Sequence, residues 1–312
     1  MTSLKTIGIF LFLTLPLIGF SQKLYLKTFG NNSKPAILFL HGGPGYNSAS
    51  FEATSAQALA DAGFFVIVYD RRGEGRSADK KAAYSFEQSM EDINGIINRF
   101  HFEKIHLIGH SFGGMLAIKY ATIYPDKVSS IILLSAPLDL QTCFKTIISS
   151  CRKIYETKQD SLNLNYISML EKMDTTSLSY SSYSFMHAMS NNFYSPDSLS
   201  AEAKMIYKQL KKDSLFKYIT QMDYQAPYGF WKNDQYTTLN LTAELNAIKA
   251  SSAIPIYGIY GQEDGLYSSL QLKELKEIMD KNHLTTLKNC SHSVFIDQRS
   301  QFVQAIKKWL KE

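Results

Sequence analysis

Ile105-His106-Leu107-Ile108-Gly109-His110-Ser111-Phe112-Gly113-Gly114-Met115 carries a short apolar run into a Gly-x-Ser-x-Gly turn and out into a helical pattern. The run 105–108 reads as a buried strand and 115–124 as a helix. The turn between them therefore has the strand-turn-helix setting that holds a serine at a sharp bend with its hydroxyl exposed. In so tight a turn a side chain at 109 or 113 would strike the neighbouring strand or helix, which is the reason for the two glycines. Taken alone, Gly-x-Ser-x-Gly would arise by chance in roughly one chain in ten of this length. The setting gives it weight against the alternative of an ordinary glycine-rich helix entry.

The alternation extends on both sides. Apolar runs at 36–40, 64–69 and 128–134, rich in Ile, Val, Leu or Phe and each ending in a loop signal, read as further buried strands. Helical stretches at 53–62 and 85–100 lie between them. Strands alternating with helices predict a mostly parallel sheet covered on both faces. In such sheets ligands sit at the carboxyl ends of the strands, so chemistry is expected in the loops after Leu40, Tyr69, Ile108, Leu134 and Tyr260. The pattern stops at Pro137: from 138 to 250 only polar, Tyr-rich, helical segments such as 143–158 and 201–210 occur. It resumes after Pro255 with a strand at 256–260, a helix at 269–279, a weaker strand at 284–287 and a last helix at 300–310. The predicted division is a core of 22–137 and 251–312, with a helical cap, 138–250, inserted between two strands of one sheet. Ten of the 19 tyrosines fall in the cap, which fits helix packing or an aromatic wall over a pocket.

The 312 residues are 45% hydrophobic and 20% charged, a composition that excludes disordered, collagenous and coiled-coil chains. The length also excludes a small disulfide-stapled scaffold. A net charge of +5, from 33 Lys and Arg against 28 Asp and Glu, is too small an excess to argue for nucleic acid. Residues 1–21 differ from the rest: one charge, Lys5, then an apolar run over 7–20 broken by Thr14 and Pro16, then Gly19-Phe20-Ser21 ahead of Gln22. The run is short for a membrane span of about 20 residues and contains a proline. A cleaved secretory signal is predicted, with an uncleaved anchor or a buried strand as alternatives. The expected location is periplasmic or extracellular, with no stable membrane insertion after cleavage. Export permits a bridge between Cys143 and Cys151, the only cysteines close in sequence; buried unpaired thiols are the other reading.

His41-Gly42-Gly43-Pro44-Gly45 follows the first buried strand. Acyl transfer builds negative charge on a carbonyl oxygen, and glycines let backbone N–H groups approach that oxygen. The donors are assigned to the amides of Gly43 and of Phe112, with His41 as a structural hydrogen-bonder. A serine needs a base, and the base an orienting carboxylate. Asp264 follows the strand at 256–260 and is taken as the acid, with Glu263 and Asp139 as alternatives. His292, in the loop after the last strand, is taken as the base. His101, His106, His187 and His283 have no such loop position, and the ring of His110 is expected to point into the elbow. The chain order Ser111, Asp264, His292 is the one this setting requires. No metal spacing or phosphate loop competes, and no cofactor is called for.

Together these residues resemble the α/β-hydrolase superfamily and, within it, the proline iminopeptidase-like peptidases. The resemblance covers about 36–137 and 255 to the C-terminus. His41-Gly-Gly-Pro-Gly45 is similar to that group's oxyanion loop, and Asp70-Arg71-Arg72-Gly73-Glu74-Gly75-Arg76-Ser77 to its D-x-R-G-x-G-x-S segment. Residues 85–99, with Asp92, resemble the helix before its nucleophile strand. The arginines of the D-x-R-G segment read as structural, with a substrate role for Arg72 as the alternative. Many iminopeptidases carry G-G-S-W-G where this chain has Gly109-His110-Ser111-Phe112-Gly113. The cap shows no segment matching the carboxylates with which they bind a free amino terminus.

What the resemblance implies is an eight-stranded, mostly parallel sheet with a helical cap. The implied enzyme is a secreted serine hydrolase that releases amino-terminal residues, Pro favoured, from short peptides. A carboxylic ester, lactone or amide hydrolase is the alternative, and a slow-turnover ligand-binding receptor a remote one. Dehalogenase and epoxide hydrolase chemistry is not expected, because those relatives use Asp where this chain has Ser111. The expected partner is a small-molecule or short-peptide substrate and no nucleic acid; oligomeric state is not legible.

Overall fold

Every residue of the strand Ala36–Leu40 is buried, Ile37 and Phe39 in one apolar layer and Leu38 and Leu40 in another. Two-sided burial at a period of two is what an unbroken apolar run demands of a central strand. The computed structural model describes residues 24–251, 254–280 and 282–311. The predicted leader, 1–21, lies outside them.

Seven strands form one sheet: β1 Leu26–Phe29, β2 Ala36–Leu40, β3 Phe65–Tyr69, β4 Ile105–His110, β5 Val128–Leu134, β6 Ile256–Gly261 and β7 Leu284–Leu287. Their order is β1-β3-β2-β4-β5-β6-β7. All neighbours are parallel except β1, which pairs antiparallel with β3. The count is one short of eight among the described residues, and the fold class is the expected one. Of the seven, β1 had no apolar run to announce it. It is a half-exposed edge strand reading Leu-Lys-Thr-Phe, held by backbone pairing more than by burial.

Helices cover both faces. Phe86–Arg99 and Phe112–Ile123 pack over Leu38, Leu40, Ile67 and Leu133. Ser85 starts the first of them by accepting a hydrogen bond from the Gln88 amide at 3.2 Å. On the other face the helical stretch 49–61 and the C-terminal helix Arg299–Lys311 enclose Ile37, Phe39, Val66 and Ile132. There Phe39 and Phe51 stack at 3.7 Å, and Phe295 meets both rings edge-on, at 5.9 and 5.3 Å.

Between β5 and β6 the described residues form seven α-helices. The first, Leu140–Thr157, begins at Asp139, whose carboxylate accepts from the amides of Gln141 and Thr142. Its buried stripe of Phe144, Ile147, Ile148, Cys151 and Tyr155 follows helical spacing, and Phe144 meets Tyr180 and Phe185 of the helix Leu178–Ser190 edge-on. Cys143 and Cys151 are eight residues apart on one helix, about 12 Å of rise, which no disulfide spans. Both thiols, and that of Cys290, are free and buried. The last of the seven helices, Thr242–Ala250, packs beside Phe112–Ile123, where Lys119 meets Glu244 at 3.1 Å.

Because Phe51 joins the 49–61 stretch to both β2 and the C-terminal layer, Phe51→Ala is expected to destabilise the fold by about 3–5 kcal/mol. Urea unfolding followed by far-UV circular dichroism measures this, and a loss under about 1 kcal/mol would show that the aromatic cluster is not the keystone of that face.

Candidate active site

Strand β4 ends in the predicted elbow. Ser111 sits at φ 52°, ψ −122°, a conformation that side-chain-bearing residues rarely adopt. Its amide donates to Leu134 O at 2.9 Å, which ties the strained residue to the end of β5. A Cβ at Gly113 would lie 2.0 Å from Leu40 O, and one at Gly109 would lie 2.5 Å from Gly113 O. Strand and helix thus pack too closely at the turn to admit a side chain at either glycine.

Asp264 and His292 come together from the loops after β6 and β7. Imidazole Nδ1 lies 2.8 Å from Asp264 Oδ2, and both residues are buried. Neither alternative acid takes this place. Asp139 caps the helix Leu140–Thr157, and Glu263 accepts from the Asp197 amide at 2.7 Å. The His110 ring donates through Nε2 to the His292 carbonyl at 3.0 Å. Burial first, then the neighbouring His292, pushes the His110 pKa down to about 3, so it makes this bond as a neutral ring.

The loop 41–45 is built around one buried cation. Arg71 donates to the carbonyls of His41 and Gly42, and its Nε to Glu74 Oε2. Its guanidinium also lies 5.1 Å from the centre of the Phe112 ring. The other oxygen of Glu74 accepts from the Gly45 amide. Burial pushes the Glu74 carboxyl up, and Arg71 pulls against it. Gly43 and Gly45 have φ of +115° and +102°, and a Cβ at Gly45 would lie 2.5 Å from Asp223 O. His41 donates from Nδ1 to Gly42 O and accepts at Nε2 from the Arg71 amide, a structural role. Burial and Arg71 hold it neutral. Arg72 and Arg76 are likewise structural: Arg72 pairs with Asp92, and Arg76 with Asp70 and Glu52.

Gly43, Ser111 and Phe112 open onto one narrow pocket of about 20 Å³. Its other walls are Met115, Pro137, Leu140, Cys143, Phe185, Tyr236, Leu266 and Tyr267, all uncharged. A serine on a strained turn beside a glycine loop, with a carboxylate-bound imidazole in the residue whose carbonyl His110 holds, is the set of groups that acyl transfer uses. None of the eleven carboxylates of 138–250 lines the pocket. Several are engaged elsewhere: Glu171 with Arg152, Glu202 with Arg299, Glu244 with Lys119, and Asp234 with the Phe86 amide.

Several contributors were not legible. The Tyr194 ring stands edge-on to His292 at 5.1 Å. The carbonyl of its neighbour Phe193 accepts from the Gly265 amide at 3.0 Å and from Ser291 Oγ at 2.9 Å. Asp297, fully buried, accepts from the Ser291 amide at 2.9 Å and so fixes the residue before His292. No local motif marks these residues. The tyrosine excess of the insertion was the one available signal, and it carries both readings: Tyr194 and Tyr236 wall the site, whereas Tyr155 and Tyr180 pack between helices.

Glu74→Gln keeps the shape of the brace while leaving Arg71 buried without its counter-charge, and is expected to cost about 3–5 kcal/mol of stability. Chemical denaturation measures it, and a loss below about 1 kcal/mol would mean that the two carbonyls and the Phe112 face suffice to hold the guanidinium.

Known proteins show the same architecture. Residues 35–298 match the family described as alpha/beta hydrolase fold. The chain is 23% identical to the proline iminopeptidase of Lactobacillus helveticus over 317 residues, covering 96% of this chain and 97% of that one. The proline iminopeptidase-related protein of Thermus thermophilus has a similar structure, with a TM-score of 0.63 at 21% identity, covering 92% of this chain and 93% of that chain. An esterase of Exiguobacterium antarcticum gives 0.58 at 19% identity, with 93% and 96% covered. The chain belongs to the α/β-hydrolase fold family and is a serine hydrolase similar to the proline iminopeptidases.

Proposed function

We propose that the protein works through an acyl-enzyme on Ser111. His292 takes the serine proton as the hydroxyl attacks a substrate carbonyl, and the amides of Gly43 and Phe112 hold the oxyanion. Asp264 keeps the imidazole oriented, and water then releases the acyl group. The observation that carries this reading is the 2.8 Å Asp264–His292 bond, braced beside the elbow by the His110 contact. An export signal at 1–21 would place the activity outside the cytoplasm.

The proposed substrate is the amino-terminal residue of a short peptide, Pro favoured. In support, the iminopeptidase relatives align over nearly the whole chain. One observation favours a second reading, a carboxylic ester, lactone or amide hydrolase. No carboxylate lines the pocket, and a desolvated ammonium without a partner costs several kcal/mol.

A fluorophosphonate should label Ser111, and Ser111→Ala should lose labelling and several orders of magnitude of turnover. Asp264→Asn should lower the rate by about three to four orders while the fold persists, and Asp139→Asn should be mild. The reverse ranking of the two Asp variants would overturn the assignment of the acid.

The two substrate readings separate on charge. A prolyl or alanyl anilide should be cleaved about a hundredfold faster than its N-acetylated form if the free amine is recognised. Equal rates, or hydrolysis of simple esters alone, would select the second reading.

A further inference from the structure

Beside the base stands a phenol to which the acyl-transfer steps give no task. Tyr194 meets His292 edge-on at 5.1 Å, and the backbone next to it is fixed, because Phe193 O accepts from the Gly265 amide at 3.0 Å and from Ser291 Oγ at 2.9 Å. A Cβ at Gly265 would lie 2.4 Å from the Phe193 ring, so this stretch is packed tightly against the loop that carries Asp264. The hydroxyls of Tyr207, Tyr260 and Tyr267 each donate to a protein acceptor, at 2.8, 2.8 and 2.6 Å. That of Tyr194 has no such partner among the described residues. The side chain is only half-buried, so the group opens to accessible space rather than into the core. Burial above all, and then Asp264, raise the phenol well above its ordinary pKa, which leaves it a neutral donor.

We propose that Tyr194 is a specificity-determining residue whose hydroxyl donates to a carbonyl oxygen carried by the leaving group, so that a leaving group with an amide carbonyl is preferred over a plain alkyl one. This rests on the acyl-enzyme at Ser111 and holds for either substrate class. When the acyl bond breaks, the imidazolium proton of His292 passes to the departing nitrogen or oxygen, so that atom must lie against the imidazole. A hydroxyl beside the same ring is then on the leaving-group side. The walls of the Ser111 pocket agree: Tyr236 is one of them, and neither Tyr194 nor His292 is, among the described residues. In a peptide the first acceptor past the departing nitrogen is the carbonyl oxygen of the second residue, which a donor in this place can read. A leaving group without that oxygen takes the hydroxyl out of water and gives it nothing in return, and this difference is what makes such a site selective.

The test uses the full chain and two substrates with one acyl group: prolyl glycinamide, whose leaving group carries the carbonyl, and prolyl ethylamide, whose leaving group lacks it. The acetyl esters of glycolamide and of ethanol are the matching pair for the second substrate reading. The readout is the ratio of kcat/KM for the first of a pair to that for the second, variant against parent. Intrinsic leaving ability, and any shift of His292 common to both substrates, cancel in it. Tyr194→Phe keeps the ring beside the imidazole and is expected to lower the ratio about fivefold or more. Tyr236→Phe, which removes a phenol from the wall of the Ser111 pocket, should leave the ratio within about twofold of the parent value. An unchanged ratio in Tyr194→Phe overturns the proposal, since the ring would then only steady the imidazole, and so does an equal fall in Tyr236→Phe. Should Tyr194→Phe fail to fold, Tyr194→Met also lacks the hydroxyl and is read against the same limits. Absence of fluorophosphonate labelling in the unsubstituted protein would instead refute the acyl-enzyme reading.

Discussion

One buried guanidinium holds the site in shape. Arg71 is 2% exposed, and removing its charge from water is costly unless every donor finds an acceptor. It finds them in the carbonyls of His41 and Gly42 and in Glu74, and it rests on the face of Phe112. His41, Gly42 and Phe112 belong to the two segments that border Ser111. The desolvation of one cation therefore dictates the path of the 41–45 loop, and the glycines at 43 and 45 are what allow the backbone to follow it. The same logic puts Glu74 four residues after Asp70: the carboxylate must return to the cation and still reach the Gly45 amide.

The elbow depends on a second constraint, close packing. Ser111 keeps its unfavourable backbone because its amide is bound to Leu134 O and because the neighbouring turns leave no space to relax. Strain at the serine and burial at Arg71 are thus supported from different sides, β5 in one case and the 70–77 segment in the other. The insertion adds to both: the Asp223 amide donates to Gly45 O at 2.8 Å, and Phe230 and Tyr236 pack edge-on against Phe112.

How much of this the chain announced follows from the range of each interaction. The elbow, the glycine loop and the central strands were legible because period-two burial and turn chemistry act within a few residues. Asp264 and His292 were found by their places after β6 and β7. Strand β1 escaped because Leu-Lys-Thr-Phe is an edge without an apolar run. The bonds from His110 to His292, from Ser291 to Phe193, and from Tyr267 to Ser135 join residues 182, 98 and 132 positions apart. No spacing rule reaches so far. Which acidic residues of 138–250 face the pocket was illegible for a similar reason: they are plentiful there, and only the packing reveals that Glu171, Glu202 and Glu244 answer to basic neighbours.

The carbonyl of Phe193 accepts from the amide after Asp264 and from the hydroxyl before His292. A single peptide group of the insertion therefore serves as the common anchor of the two loops that supply the acid and the base. In evolutionary terms this makes 138–250 a poor candidate for wholesale exchange between relatives. A graft that brought new substrate contacts but displaced this one oxygen would unseat both loops at once. Divergence of specificity is accordingly easiest by point changes in the pocket walls, with the register of the chain at Phe193 preserved.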